Sequence, residues 1–192
     1  MQQQEFSLIK RYFVGVIAIS IWSLLLWQHF HQGVPVHYFL QRADMPALSN
    51  WWGALLLPVL AWLAMTRVEK RLFTGPAQSS SRVFKQILGG FVMALAYGAV
   101  LSLAFTQGNQ ALSSVMLPAI LVFALFFKVY QAEYVFGLIL GMCITFGAVL
   151  PTFFASLIAL ASALVYFLLR FIIRKIGHVL AASSKQSQNN SN

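Results

Sequence analysis

The stretch that decides the fold is residues 12–30, YFVGVIAISIWSLLLWQHF, which contains no Asp, Glu, Lys or Arg. As a helix it would rise about 28 Å, close to the roughly 30 Å thickness of a bilayer's hydrocarbon core. Lys10 and Arg11 precede it, as basic residues do in a signal peptide, but no small-residue cleavage site follows. The run therefore predicts an uncleaved first transmembrane helix.

Apolar runs of similar length recur along the chain. They lie at 51–66, 87–105, 111–127, 134–150 and 152–169, and each is long enough to cross most or all of a bilayer. Pro151 predicts a tight break between the last two runs. The sequence thus predicts an all-α integral membrane domain over residues 1–182 with six transmembrane helices. The Ser-, Gln- and Asn-rich tail, 183–192, is expected to be disordered.

Composition and charge placement identify the surroundings of the chain. Hydrophobic residues make up 59% and charged residues 9% of it, whereas a soluble domain carries about 25% charged residues. With six spans, every Lys and Arg except Arg42 lies on one side, in the N-terminus, the loop 67–85, the Lys128 turn and the C-terminus. The positive-inside rule therefore predicts cytoplasmic termini in a bacterial-type inner membrane. The net charge of +9 is explained by topology and lipid contacts, so the bilayer and not nucleic acid is the expected partner.

Small residues recur at helical spacing in three of the predicted spans. This pattern lets neighbouring helix backbones approach closely, so we expect the third, fifth and sixth spans to form the tight part of the bundle. The residues are Gly90, Ala94, Gly98 and Ser102 in the third span, Gly137, Gly141 and Thr145 in the fifth, and Ala155, Ala159 and Ala163 in the sixth.

The leading functional hypothesis is a small transporter or channel-like protein of undetermined substrate, acting as a homo-oligomer or with a membrane-complex partner. Its support, besides the small-residue seams, is Pro58 and Pro118 within two spans, and the similarity of residues 97–101 (YGAVL) to 146–150 (FGAVL). Intraspan prolines free backbone groups that transporters use, and duplicated halves leave such repeats. A non-catalytic subunit of a membrane complex is a further alternative.

The rival hypothesis is an enzyme or metal site in the outer loop, 28–53. Imidazoles with a carboxylate could bind a divalent metal such as zinc, and the candidates are His29, His31, His37 and Asp44. A His–Asp pair could instead activate water or the Ser49 hydroxyl. On one continuous helix His29 and His31 diverge by about 200°, so their convergence requires the helix to unwind near Gly33.

Four further residues are candidates for substrate binding. Asn50 and Trp51 begin the second span on the outer side, whereas Tyr130 and Glu133 lie at the basic end of the fifth. We expect Glu133 to be stabilised by the helix N-terminus and by the nearby Lys128. A P-loop, HExxH, GxSxG or dinucleotide fingerprint is absent from the sequence, and the single cysteine, Cys143, cannot form an intrachain disulfide.

Overall fold

Residues 3–31, 33, 36–38, 47–74, 80–126 and 128–189 are described by a computed structural model. The helices are α1 (Gln3–His31), α2 (Gly53–Phe73), α3 (Ser80–Thr106), α4 (Gln110–Phe126), α5 (Ala132–Phe146) and α6 (Val149–Asn189). Between α1 and α2, strand β1 (Val36–Tyr38) pairs antiparallel with β2 (Ala47–Ser49), with His37 opposite Leu48. A single 3-10 turn, Asn50–Trp52, then leads into α2.

Within these residues, four helices are long and apolar enough to cross a membrane: Gln3–His31, Asn50–Phe73, Ser81–Thr106 and Val149–Ile172. Their large apolar side chains are exposed on the outside of the bundle, as for Leu26, Leu103 and Leu164, which suits contact with lipid. This confirms the expected class, a helical membrane protein. Helices α4 and α5 are also apolar but shorter, rising about 25 and 22 Å.

The seam between α3 and α5 confirms the close packing expected there from the small residues, whereas the tight packing expected of α6 is wrong at Ala159 and Ala163, which line a cleft. A Cβ placed on Gly98 would lie 2.7 Å from the carbonyl oxygen of Leu138, and one on Gly137 would lie 2.6 Å from that of Phe91. Contacts this short exclude every side chain larger than a hydrogen atom, so the glycines allow the two backbones to touch. Helix α5 also packs on α2 and α6, and is therefore the central helix of the bundle.

Both ends of the bundle have a defined core. At one end Ile21, Leu25 and Leu57 pack with residues of α5 and with Ala148. At the other end Phe6, Val68, Leu72 and Ile87 join α1, α2 and α3. There Lys10 forms an ion pair with Glu69 at 2.6 Å. These contacts bring the basic first turns of α1 and the basic last turns of α2 to the same end of the bundle. This is called the basic end below.

The break expected at Pro151 needs correction. The break before α6 lies at Gly147, which has a φ of 69°, because glycine tolerates that conformation. Pro151 instead occupies the first turn of α6, where its missing N–H breaks no helical hydrogen bond. Helix α6 is described as far as Asn189, and the expected disorder of the tail, 183–192, stays a prediction. The three-residue strands are a small departure from an all-α fold.

The structure gives no support to an internal repeat. Gly98 lies in the middle of α3 against the α5 backbone, whereas Gly147, its counterpart in the proposed repeat, lies in the turn after α5. Pro58 and Pro118 do both lie within helices, α2 and α4. The similarity of the two sequence stretches therefore does not correspond to a shared structural position.

Candidate functional site

The structure does not bring His29 and His31 together. Helix α1 continues through His31, so the two rings leave different sides of the helix. The His29 ring meets Trp51, with centroids 6.0 Å apart. The His31 ring stacks on Trp27 at 4.8 Å, and its Nδ1 lies 3.0 Å from the Trp27 carbonyl oxygen. Each imidazole thus has an aromatic neighbour of the kind common in a headgroup layer.

The rest of the predicted outer site is only partly described. Asp44 lies outside the described residues, and only the backbone of His37 is described, in β1. Within the part of the chain that the structure covers, no three His, Cys, Asp or Glu residues are grouped so as to hold a metal ion. Zinc binding and His–Asp catalysis therefore stay predictions.

Ser49 and Asn50 lie at the end of the bundle opposite the basic end. The Ser49 hydroxyl accepts a hydrogen bond from the Trp51 N–H at 3.4 Å, which caps the 3-10 turn. Asn50 is 5% exposed, and its Oδ1 accepts a hydrogen bond of 3.4 Å from the Ala148 N–H. Gly53 lies against the same residue: a Cβ on it would be 3.1 Å from that of Ala148. The turn between α5 and α6 is thereby held against the start of α2.

The basic end is open in contrast. A cleft of about 740 Å³ lies between α2, α5 and α6, within the size range of ligand pockets. It reaches from this end to the middle of the bundle. The wall at depth is mainly apolar, with Leu60, Ile139 and Ala159 beside the hydroxyl-bearing Ser156, and the mouth is polar and basic, with Arg67, Lys70, Arg71, Tyr130 and Gln131.

One ion pair fixes the wall of the cleft. Arg71 Nη1 donates to Glu133 Oε1 at 2.6 Å, and the Glu133 side chain is 3% exposed. Glu133 lies in the first turn of α5, as predicted, and the helix N-terminus favours its negative charge. Its basic partner is Arg71 and not the expected Lys128, whose Nζ lies over the Tyr166 ring at 5.0 Å. The difference arises because α2 packs directly on α5.

Tyr130 is the second predicted residue found at the cleft. Its ring contacts Tyr166 at 5.6 Å and Phe167 at 6.4 Å between centroids, so it joins the start of α5 to α6. Of the substrate-binding candidates, Tyr130 lines this mouth and Glu133 pairs with its arginine, whereas Asn50 and Trp51 lie at the opposite end. The structure therefore divides the predicted residues between two ends of the molecule.

The sequence prediction missed the three cations of α2. Arg67, Lys70 and Arg71 follow an i, i+3, i+4 spacing, which places them on one face of a helix. That spacing could have been recognised, but residues 67–85 were predicted to be a loop, whereas the structure places 67–73 in α2 and 80–85 in α3. The facing alanines of α6 belong to the predicted small-residue set, and Ala159 and Ala163 line the cleft.

Comparisons with known proteins returned no match, since no protein-family model fits the sequence and no curated protein or solved structure is detectably similar.

Proposed function

We propose that the chain is a small transporter with six transmembrane helices in a bacterial-type inner membrane and with both termini in the cytoplasm. The observation that carries the proposal is the asymmetry of the bundle. At the Asn50 end the α5–α6 turn packs on the start of α2 beside a smaller groove of about 360 Å³, whereas a cleft of about 740 Å³ extends from the basic end to the middle of the bundle. A bundle more open at one end than at the other corresponds to one state of an alternating-access cycle.

The contact between the α5–α6 turn and α2 at the Asn50 end could be separated by a local backbone rotation. The contact combines a hydrogen bond of 3.4 Å from the Ala148 N–H to Asn50, longer than the roughly 2.7–3.2 Å of most N–H···O bonds, with packing of Gly53 on the Ala148 side chain. Gly147, with its positive φ, immediately precedes this contact. Hinges are commonly a few residues at the ends of elements that absorb backbone rotation. Rotation at Gly147 would separate the α5–α6 turn from α2.

A six-span arrangement places the described basic residues on one side of the membrane, even though α4 and α5 are short. If each helix crosses the membrane, Lys128 lies on the same side as Arg67 and Arg71, which agrees with the Glu133–Arg71 pair at the start of α5. The positive-inside rule then makes the basic end cytoplasmic. A bilayer accommodates spans a few ångströms shorter than its core by local thinning, and α5 is largely surrounded by protein.

The span count can be tested with cysteines in a Cys143→Ser background, which removes the single native thiol. We expect Lys128→Cys to react with a membrane-impermeant maleimide in inverted vesicles only, and Asn109→Cys in intact spheroplasts only. Both positions are exposed. If α4 and α5 instead form a re-entrant pair, Lys128→Cys will not react from the cytoplasmic side, and the six-span threading is wrong.

Opening of the outer end can be tested without knowing the substrate. Ala148→Cys and Asn50→Cys are each expected to react from outside about ten to one thousand times more slowly than Asn109→Cys, because a minor open state is typically populated at about 0.1–10%. Ala61→Cys is the matched control, since Ala61 and Ala148 are both 0% exposed but Ala61 lies within α2 away from this end. We expect it to remain unlabelled.

Protection of Ala148→Cys and Asn50→Cys equal to that of Ala61→Cys, in protein that is folded and monodisperse, would overturn the transport proposal. The chain would then be better described as a static partner in a membrane complex. Labelling of all three positions would indicate general loosening of the bundle and would contradict a specific outer opening equally.

A further inference from the structure

We infer that the cleft between α2, α5 and α6 binds one anionic phospholipid from the leaflet at the basic end. Its phosphate would lie between Arg67 and Lys70, and an acyl chain would follow the apolar wall. This inference rests on the proposed function in taking the cleft as the site where substrate is loaded. It adds the chemical class of the occupant.

The depth of the cleft matches one leaflet. Its α2 wall extends from Arg71 to Leu60, a rise of about 16 Å along the helix axis. A single leaflet contributes half of the roughly 30 Å hydrocarbon core. The basic residues therefore lie at headgroup level when the apolar wall lies at acyl-chain depth. A water-soluble anion would match the mouth but would leave this wall unused.

The charge at the mouth favours an anion. Within the described residues, neither Arg67 nor Lys70 has a carboxylate at ion-pair distance, and both are exposed. Arg71 uses Nη1 for Glu133. Three cations thus share one carboxylate around the opening. Basic pockets between transmembrane helices on the cytoplasmic side bind anionic headgroups, and a phosphate would supply the missing negative charge.

The apolar wall is shaped for a chain that enters sideways from the bilayer. Ala159 and Ala163 of α6 line the cleft together with Val135 and Ile139 of α5, and the small alanine side chains leave space between the helices. Leu63 and Leu160 line the same cleft while remaining 52% and 58% exposed. The cleft is therefore continuous with the lipid-facing surface, so an acyl chain can reach it without crossing water.

The test measures phospholipid retained by delipidated, detergent-solubilised full-length protein, with phosphatidylglycerol or phosphatidylcholine added at equal concentration and bound lipid counted by native mass spectrometry. We expect one phosphatidylglycerol per chain. Arg67→Gln combined with Lys70→Gln should weaken its binding about thirtyfold, since each basic residue near a membrane surface contributes about fivefold. Ala159→Phe, which fills the apolar wall, should remove the bound lipid while both cations remain.

The matched control is Arg82→Gln with Lys85→Gln, which removes the same charge from exposed positions of α3 that do not line the cleft. Its binding should change less than about twofold if the cleft, and not the general surface charge, attracts the lipid. Equal retention of the two lipids, an equal loss in the control, or full binding by folded Ala159→Phe would each overturn the inference. None of these outcomes depends on whether Ala148→Cys is labelled, so transport and lipid binding can fail separately.

Discussion

The Gly98→Ala variant is expected to be less stable than the parent protein by about 1–3 kcal/mol, the range for overfilled packed interiors. Its new methyl carbon would lie 2.7 Å from the Leu138 carbonyl oxygen and 3.1 Å from the Gly141 Cα. Both of these atoms belong to the α5 backbone, so a side-chain rotation cannot relieve the clash. The whole helix must move away from α3.

The matched control is Gly89→Ala in the same helix. A Cβ at Gly89 meets nothing within 4 Å, so this variant shares the backbone effect of replacing glycine without the clash. We expect it to be neutral or slightly stabilising, because alanine is the better helix former by up to about 1 kcal/mol. The free energy of unfolding would be measured by SDS titration in mixed micelles, followed by far-UV circular dichroism. Equal stability of the two variants would contradict the direct contact between the α3 and α5 backbones.

Substitution of Arg71 is expected to destabilise the protein far more than substitution of Glu133, although the two residues form one ion pair. Arg71→Met is expected to lower the free energy of unfolding by about 3–5 kcal/mol, because removing Arg71 leaves the buried charge of Glu133 uncompensated. The Glu133 side chain is 3% exposed, and its Oε2 has no hydrogen-bond partner within the described residues. Glu133→Gln should cost only about 1 kcal/mol, since the Arg71 side chain is 36% exposed and can turn into the cleft.

A double-mutant cycle measures this coupling. Arg71→Met combined with Glu133→Gln should recover much of the stability lost in Arg71→Met alone, because the buried site then contains no charge. Lys128→Met is the control, since it removes a cation from the same end whose Nζ lies over Tyr166 and not beside Glu133. Additive losses in the double variant, or a loss in Lys128→Met as large as in Arg71→Met, would show that the ion pair does not determine the stability of this region.

The sequence predicted the α3–α5 seam because the relevant information is local. Small residues at a spacing of four define one face of a helix wherever that helix is placed. The charges of α2 are local in the same sense, since the i, i+3, i+4 spacing of Arg67, Lys70 and Arg71 places them on one face. These features could be predicted from the order of residues alone.

The partners of those faces could not be predicted in the same way. Asn50 meets Ala148 across 98 positions and Arg71 meets Glu133 across 62, so both contacts depend on how the helices are arranged around the bundle. In a soluble protein the apolar side of each helix would indicate that arrangement. Here the helices are apolar on the lipid side as well, as exposed Leu103 and Leu164 show. The pattern of apolar residues therefore gives little indication of which side of each helix faces its neighbours.

An ion pair and a hydrogen bond between α1 and α2 bear on the order in which the helices can pack during synthesis. Lys10 contacts Glu69 at one end of this hairpin, and the Trp22 indole N–H donates to the Ala54 carbonyl at 3.0 Å further along. Every atom in these two contacts is synthesised before α3 begins. The glycine face of α3, in contrast, acquires its partners only when Gly137 and Gly141 have been made. During synthesis the first hairpin can thus dock on itself, whereas α3 must stay in lipid without its neighbour until two further helices have followed it.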